Sequence, residues 1–403
     1  MKKALLAGAV LAMLTPYAFA QSSVTLYGVI DEGLDYVNNT QVAGATGRRQ
    51  ASRVFLTTGI LQGDRWGLKA VEDLGGGLQT IAVLESGWDI NTGALQQGNA
   101  LFGRQAYVGL AGKDGSVMLG RQYDILLDYV SPAVSSDSWG GAYAAHVEDL
   151  DNLNNGYRVN NAIKFKTATI AGFSVGGMYS VGGVAGDLSR NQIFGAGASY
   201  SYGPLFVGAA YMNARDPNIS VYGSNPSGGN NTVNNFGATA LTGVQGNPAI
   251  SGYASAHTRQ IIAAGASYKL GKGTFLLNYS NVRFSGLGDL TAGPNPLGYT
   301  GSASFNTAEL GYFMFVTPAL LIGGNYSFTK GSGPDGMDAK YSQIEIGSDY
   351  FLSKRTDLYA LVTGMKASGR DSTGQAAVAS INLLTPSTND KQLMVRLAIR
   401  HKF

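Results

Sequence analysis

Not one of the 403 residues is a cysteine, so neither a disulfide nor a thiolate metal site is available to stabilise the fold. Charge is also scarce, at 14% of residues, and nearly balanced. The net value of +3 falls to +1 once Lys2 and Lys3 are set aside with the leader described below. Such a chain offers no bulk field to a polyanion, which argues against nucleic acid as a partner. Long apolar runs are missing too. A helix crossing a membrane needs about 20 apolar residues, and the most apolar later stretch, Gly311 to Gly324, is short and cut by Thr317-Pro318.

What is plentiful is glycine (57 residues), tyrosine (22) and phenylalanine (16), set among long Asn/Gly/Ser/Thr stretches at a mean hydropathy of +0.01. This is too polar for a helical membrane protein and too rich in glycine and aromatics for an ordinary soluble domain. The chain opens with Met1-Lys2-Lys3, an apolar stretch from Ala4 to Leu14, and Ala18-Phe19-Ala20. That order predicts a secretory signal peptide over residues 1–20 and one mature unit over 21–403.

Beyond it the dominant pattern is period-two alternation. Val24, Leu26, Gly28 and Ile30 share one face against Thr25, Tyr27, Asp31 and Asp35; Ile344, Ile346, Ser348 and Tyr350 oppose Gln343, Glu345, Gly347 and Asp349; Leu393, Val395, Leu397 and Ile399 oppose Arg396, Arg400 and Lys402. Connections alternate between tight turns, such as Asp73–Gly77, Gly112–Gly115 and Gly271-Lys272-Gly273, and long polar stretches at Asn38–Ala51, Tyr123–Tyr157, Asp216–His257, Ser285–Gly301 and Ser368–Asp390. Strands of about ten residues, tight turns at one rim and long loops at the other predict an all-β fold, a closed antiparallel transmembrane barrel of about sixteen strands. A strand protein can lie in hydrocarbon only if its sheet has no edge, and a ring that wide cannot be filled by side chains, so its polar inner face is wet. Tyr27, Tyr107, Tyr200, Tyr268, Tyr312, Tyr326 and Tyr350 are expected in interfacial aromatic belts. A soluble β-sandwich or solenoid is the rival reading, disfavoured by strand length.

Four stretches carry a resemblance: Ser23-Val-Thr-Leu-Tyr-Gly-Val-Ile-Asp31; Asp64-Arg-Trp-Gly-Leu-Lys-Ala-Val-Glu-Asp-Leu-Gly-Gly-Gly77; Leu101-Phe-Gly-Arg-Gln-Ala-Tyr-Val-Gly-Leu110 followed by Leu119-Gly-Arg-Gln-Tyr123; and Arg400-His-Lys-Phe403. In these the chain resembles the general porins of Gram-negative bacteria, most closely the β-proteobacterial type. The resemblance implies a sixteen-stranded barrel in the outer membrane that assembles as a homotrimer. Each barrel would be a passive channel for ions and small hydrophilic solutes, narrowed by an inward-folded third loop. That loop would be Tyr123–Tyr157, with Asp124, Asp128 and Asp137 as its acidic side and Ser138-Trp139-Gly140-Gly141 as its bend, though it lacks the usual Pro-Glu before the aromatic. Arg104, Arg121 and Arg158 match the family's basic wall, and Lys69 and Arg65 extend the lumen-facing set.

Parity puts Arg104 with Ala106 and Val108, with Tyr107 facing lipid; it puts Arg158 with Lys164 and Lys166; it leaves Arg121 unplaced. Phe403 resembles the terminal aromatic that the barrel assembly machinery reads. Outer-membrane lipid and lipopolysaccharide are the expected surroundings, no cofactor or metal is expected, and a weak preference for anions is. A substrate-selective porin and a structural or adhesive barrel are the alternatives.

Two further patterns suggest chemistry. Gly172-Phe173-Ser174-Val175-Gly176 matches a nucleophile elbow, but Met178–Gly183 continues as a strand where a helix would be needed, so catalysis is not expected. His146 with Glu148, Asp149 and Asp151 offers oxygen and nitrogen ligands without a calcium-loop spacing, and a solvated acidic loop is the expectation.

Overall fold

A computed structural model describes residues 22–44, 47–219, 222–223, 230–237 and 243–403; the leader assigned to residues 1–20 lies outside the described residues. Sixteen antiparallel crossings form one closed sheet. The first, β1 (Ser23–Gly44), is bonded to the last, with Val29 opposite Lys402 and Val37 opposite Met394. The second, β2, crosses in two segments, Gly47–Thr58 and Arg65–Gly75. Both lie along β1 in the same direction, Thr58 opposite Glu32 and Arg65 opposite Val29, and residues 59–64 leave the ladder between them. The remaining crossings are β3 (Leu78–Gly87), β4 (Gln105–Gly112), β5 (Gly115–Gln122), β6 (Arg158–Thr167), β7 (Phe173–Ser180), β8 (Ile193–Tyr202), β9 (Leu205–Arg215), β10 (Thr258–Leu270), β11 (Gly273–Leu287), β12 (Gly301–Thr317), β13 (Leu320–Ser332), β14 (Lys340–Phe351), β15 (Thr356–Ser368) and β16 (Lys391–Lys402). Tyr222–Gly223 pairs briefly with Val159 and Arg158 and adds no crossing.

The barrel is inside out relative to a soluble sheet. Ile344 and Ile346 are each 56% exposed while Glu345 between them is fully buried. The same inversion runs through Leu393, Leu397 and Ile399 against Arg396 and Arg400. Exposed apolar side chains on every crossing are what a hydrocarbon solvent selects, and the closed ladder leaves no backbone group unpaired at an edge. This disposes of the soluble sandwich, which would hide those residues. The wall is uneven: β4, β5 and β7 have eight residues each, whereas β12 has 17 and β11 has 15.

Two expectations need correction. Asn38–Ala51 is no loop: β1 runs to Gly44 and β2 restarts at Gly47, so the polar stretch is a tall hairpin standing above the apolar band. Its polar side chains serve partly as fastenings to other loops: Gln41 is buried against Gln245 and the Ser387 carbonyl, and Asn39 accepts from the Thr388 amide at 3.1 Å. The aromatic belts also lose two members. Tyr268, Tyr326 and Tyr350 are exposed on the outer face, Tyr200 packs on Phe173 at 4.3 Å and Tyr312 on Phe275 at 4.7 Å. Tyr27, however, donates to the buried Glu85 at 2.9 Å. Tyr107 alternates with the exposed Val108 and so faces the lumen.

Candidate functional site

The stretch between β5 and β6 folds into the barrel. It begins with α1 (Ile125–Val130), whose N-cap is Asp124: one carboxylate oxygen accepts from the Leu126 and Leu127 amides, and the other from Asn152 Nδ2 at 2.7 Å. α1 lies against the inner wall because the wall is bare there. A Cβ at Gly197 would stand 2.4 Å from the Tyr129 ring, and one at Gly195 would stand 2.8 Å from Ile125. Gly176 and Gly208 make the same room for Tyr129. Further round the ring Gly265 faces Ala133, Gly311 faces Ser135, and Gly323 lies under the Trp139 ring, where a Cβ would come within 2.5 Å. Seven glycines on six different crossings thus form a track that the loop follows. Close packing of this kind leaves no space for even one added methyl group.

Polar clamps fix the loop to the far wall. Glu309 Oε1 accepts from the Ser135 amide and from Asn278 Nδ2, each at 2.9 Å. Gln343 Nε2 donates to the Tyr143 and Ala145 carbonyls at 3.0 Å. The Tyr143 hydroxyl reaches Asp35, which with Asp31 is paired to Arg396 at 2.9 and 3.2 Å, all three charges fully buried. His146 sits between Asp151 at 2.6 Å and Glu309 at 3.4 Å. Burial alone would lower its pKa, but the two carboxylates outweigh it and hold the imidazolium up to about 10. The residues expected as a solvated acidic loop are instead buried. Glu148 accepts from the Ala249 amide at 3.1 Å, and Asp149 from the Asn154 and Gly156 amides at 3.0 and 2.8 Å. Burial pushes Glu148 up to about 8 and Asp149 up to about 7.

What the loop does not fill is a cavity of about 650 Å³. Arg65, Arg104 and Arg158 line one side, with Asp137, Glu148 and Asp149 of the loop facing in as well. Arg104 Nε pairs with Glu85 at 2.9 Å and its Nη2 donates to the Tyr123 hydroxyl at 2.8 Å. Arg158 lies over the Tyr123 ring, 5.0 Å from its centroid, and donates to the Asn155 and Gly156 carbonyls. Tyr123 is thereby a spacer that fixes two guanidinium groups on one wall.

The expected site residues are sorted by this geometry. Arg104 and Arg158 meet at the cavity, but the parity argument for Arg104 is wrong, since Ala106 and Val108 belong to the outer face. Arg104 precedes the regular strand, which starts at Gln105, and so escapes its alternation. Arg121 stands behind the cavity lining, donating to the Gly103 carbonyl at 2.7 Å and to Asn160. The ladder slips between Gly120 and Gln122, and this irregularity turns Arg121 inward against its parity with Val117 and Leu119. Lys69 is exposed, opposite Thr25 and Val83, four residues beyond Arg65 toward the tight-turn rim, and does not reach the constriction.

Of the acids, Asp137 lines the cavity. Asp124 is a buried helix cap, and Asp128 is an anchor, 2.6 Å from Lys164 and 3.8 Å from Lys166. Arg65, expected in the lumen-facing set, does reach the cavity, whereas the sequence does not single out Glu85 or Tyr123 for the site: Glu85 shows only lumen parity, and no spacing marks it as the partner of Arg104. Phe403 extends β16 past its last paired residue. Its amide and carbonyl exchange bonds with Gly28 at 3.1 and 3.0 Å, and its ring covers the bare face of Gly28. Ser174 lies within β7, its hydroxyl 3.5 Å from the Thr167 carbonyl.

Comparison with known proteins adds a second line. The sequence profile of the Gram-negative porin family matches residues 7–370. An outer membrane porin protein of Bordetella pertussis is 30% identical over 377 residues, spanning 89% of this chain and 93% of its own. Outer membrane porin protein 32 of Delftia acidovorans is 28% identical with both chains covered in full (100%). Among solved structures, the anion-selective porin from Comamonas acidovorans superposes with a TM-score of 0.70 at 23% identity, over 95% of this chain and 100% of that one. The trimer form of OmpT from Vibrio cholerae gives 0.65 at 14%, covering 95% and 99%.

Proposed function

The chain belongs to the Gram-negative porin family, whose members are outer-membrane diffusion channels, and on that footing we propose that its rate-setting and charge-selecting element is the cavity between the Arg65, Arg104 and Arg158 wall and the loop 123–157. The observation that carries this reading is the convergence of three guanidinium groups on one open cavity whose facing acids include two, Glu148 and Asp149, with raised pKa values. Near neutral pH the arginines are fully charged and those acids only partly so. The aqueous gap then has a net positive potential, favouring anions over cations while leaving small neutral hydrophilic solutes free to pass. Fixed opposed charges across a narrow gap also order the water there, which an apolar solute must disrupt.

The test is the reversal potential of the protein in planar bilayers under a potassium chloride gradient. Wild type is expected to favour chloride, and Arg104→Ala/Arg158→Ala to shift the permeability ratio several-fold toward cations. A double variant with unchanged reversal potential would remove these residues from the constriction.

Assembly as a homotrimer is part of this reading. The short crossings β4 to β7 present Val108, Leu110, Val117, Leu119, Ile163 and Phe165 outward, a low apolar wall suited to a second copy. One structural neighbour is described in trimer form. Phe403, bonded to Gly28 at the seam, is read as the signal recognised by the assembly machinery.

A further inference from the structure

The outer face is not uniformly apolar. On four successive crossings, β13 to β16, the outward face carries a lysine close to the long-loop rim: Lys340 and Lys391 are the rim-end residues of β14 and β16, and Lys330 and Lys366 stand one outward position in from Ser332 and Ser368 on β13 and β15. Register fixes them as neighbours, since Lys330 is directly opposite Lys340 and Lys366 directly opposite Lys391. Lys340 and Lys366 are held one pair apart through Ser368 and Ser342. Their parity is that of the exposed Tyr326, Ile344 and Leu393, so all four belong to the hydrocarbon-facing side. All four are exposed, and none makes an ion pair among the described residues. The acids of the adjoining loops, Asp338 and Asp390, make no ion pair with them; Asp338 instead accepts from the Arg370 amide at 3.0 Å.

Directly below the row the wall is indented. A shallow groove of about 440 Å³ runs between Tyr326, Ile344 and Leu393, with Lys366 and Lys391 at its upper end. The indentation exists because Gly364, paired with both Ile344 and Leu393, has no side chain to fill the gap between them. Lys366 is two residues above Gly364 on the same face, a rise of roughly 7 Å. Across the row, four strands at about 4.8 Å spacing spread the ammonium groups over roughly 14 Å.

A row of like charges placed where hydrocarbon gives way to headgroups costs self-repulsion and incomplete hydration unless an anion is present. The groove beneath asks for an acyl chain. Both demands are met by a single molecule only if it has phosphate above and hydrocarbon below. From this juxtaposition we infer that β13 to β16 form a binding site for a phosphate-bearing lipid of the outer leaflet, its phosphates on Lys330, Lys340, Lys366 and Lys391 and an acyl chain in the groove at Gly364. The site rests on the outer-membrane placement of the chain and is independent of the constriction, from which these residues are separated by the wall.

The full chain in phosphatidylcholine nanodiscs doped with bis-phosphorylated lipid A provides the test, with lipid retained per protein counted by native mass spectrometry. Wild type is expected to retain lipid A and to ignore its dephosphorylated form. Replacing all four lysines with glutamine is expected to weaken retention on the order of a hundredfold. Gly364→Leu, which fills the groove at unchanged charge, should weaken retention of lipid A by a smaller factor. Single-channel conductance of each variant, expected unchanged, reports that it has folded and inserted, so a failure here is separable from failure of the channel reading. Equal retention by the lysine variant, or equal retention of dephosphorylated lipid by wild type, overturns the site. So does displacement of the lipid by millimolar inorganic phosphate, which would mark a simple phosphate site. Loss of the oligomer with lipid binding intact would reassign the face to contact between copies and equally overturn it.

Discussion

The two inner walls of the barrel are both lined with charge, yet only one of them is open. On β1 and β11 to β16 the inward residues include Asp31, Asp35, Glu309, Glu345, Arg396 and Gln343, and with the loop over them all six are buried, bonded across the wall or to the loop. On the side of β2 to β6, Arg65, Arg104 and Arg158 line the cavity that the loop leaves open, although Arg104 is held by Glu85 and Arg158 by the Asn155 and Gly156 carbonyls. Inward polarity alone is therefore no index of a permeation role. What separates a fastening from a selectivity element is whether the infolded loop lies on it.

The contrast is broken most forcefully at Arg396. Arg396→Met leaves Asp31 and Asp35 buried without their counter-charge, and removing one partner of a buried pair costs about 3–5 kcal/mol. The expected result is a marked fall in the denaturant midpoint with ion preference preserved; preserved stability would mean that the fastening wall is as wet as the open one. A smaller effect is expected from pH acting on His146. Its pKa rises from 6.5 to about 10 on folding, so its stabilising contribution is complete below pH 6.5 and lost as pH climbs through 10. Thermal unfolding followed from pH 7 to 10.5 should show this loss in wild type and a flatter profile in His146→Asn.

On the open side, Glu148 and Asp149 gain charge between pH 6 and 9, since their pKa values lie at about 8 and about 7. Anion preference in wild type should decline over that range, by roughly twofold for two added charges beside the gap. Glu148→Gln should remove the upper part of the decline, and a profile identical to wild type would place Glu148 outside the ion path. The smallest effect is assigned to Lys69→Ala, for which the reversal potential should not move beyond error. A clear shift would extend the open wall down to the tight-turn rim.

The fold was legible because hydrocarbon imposes a rule on every second residue. Leu26, Ile344 and Leu397 declare the outward face without reference to anything distant, and the crossing count follows once tight and long connections are seen to alternate. The constriction obeys no such rule. Arg104 and Arg121 lie where the alternation lapses, one just before its strand and one at a slipped pairing, so a parity count misplaces the first and leaves the second unassigned. Asp124 reads as one more loop acid, although its spacing to α1 is that of a helix cap, and the same composition that marks Asp137 for the cavity marks Asp128 for an ion pair with Lys164. Partners separated by a hundred residues or more, such as Glu309 with His146, have no local signature at all.

The glycine track gives the molecule an order of events. No segment contains the seat for α1 and Trp139: it is assembled from Gly176, Gly195, Gly208, Gly265, Gly311 and Gly323, each on a different crossing. Contacts of such sequence separation form late. Until those crossings stand side by side there is nothing for the loop to lie on, so a half-built ring is an unobstructed hole. The narrowing of the channel consequently depends on six crossings already standing side by side, whereas the ring needs only each crossing and its neighbour.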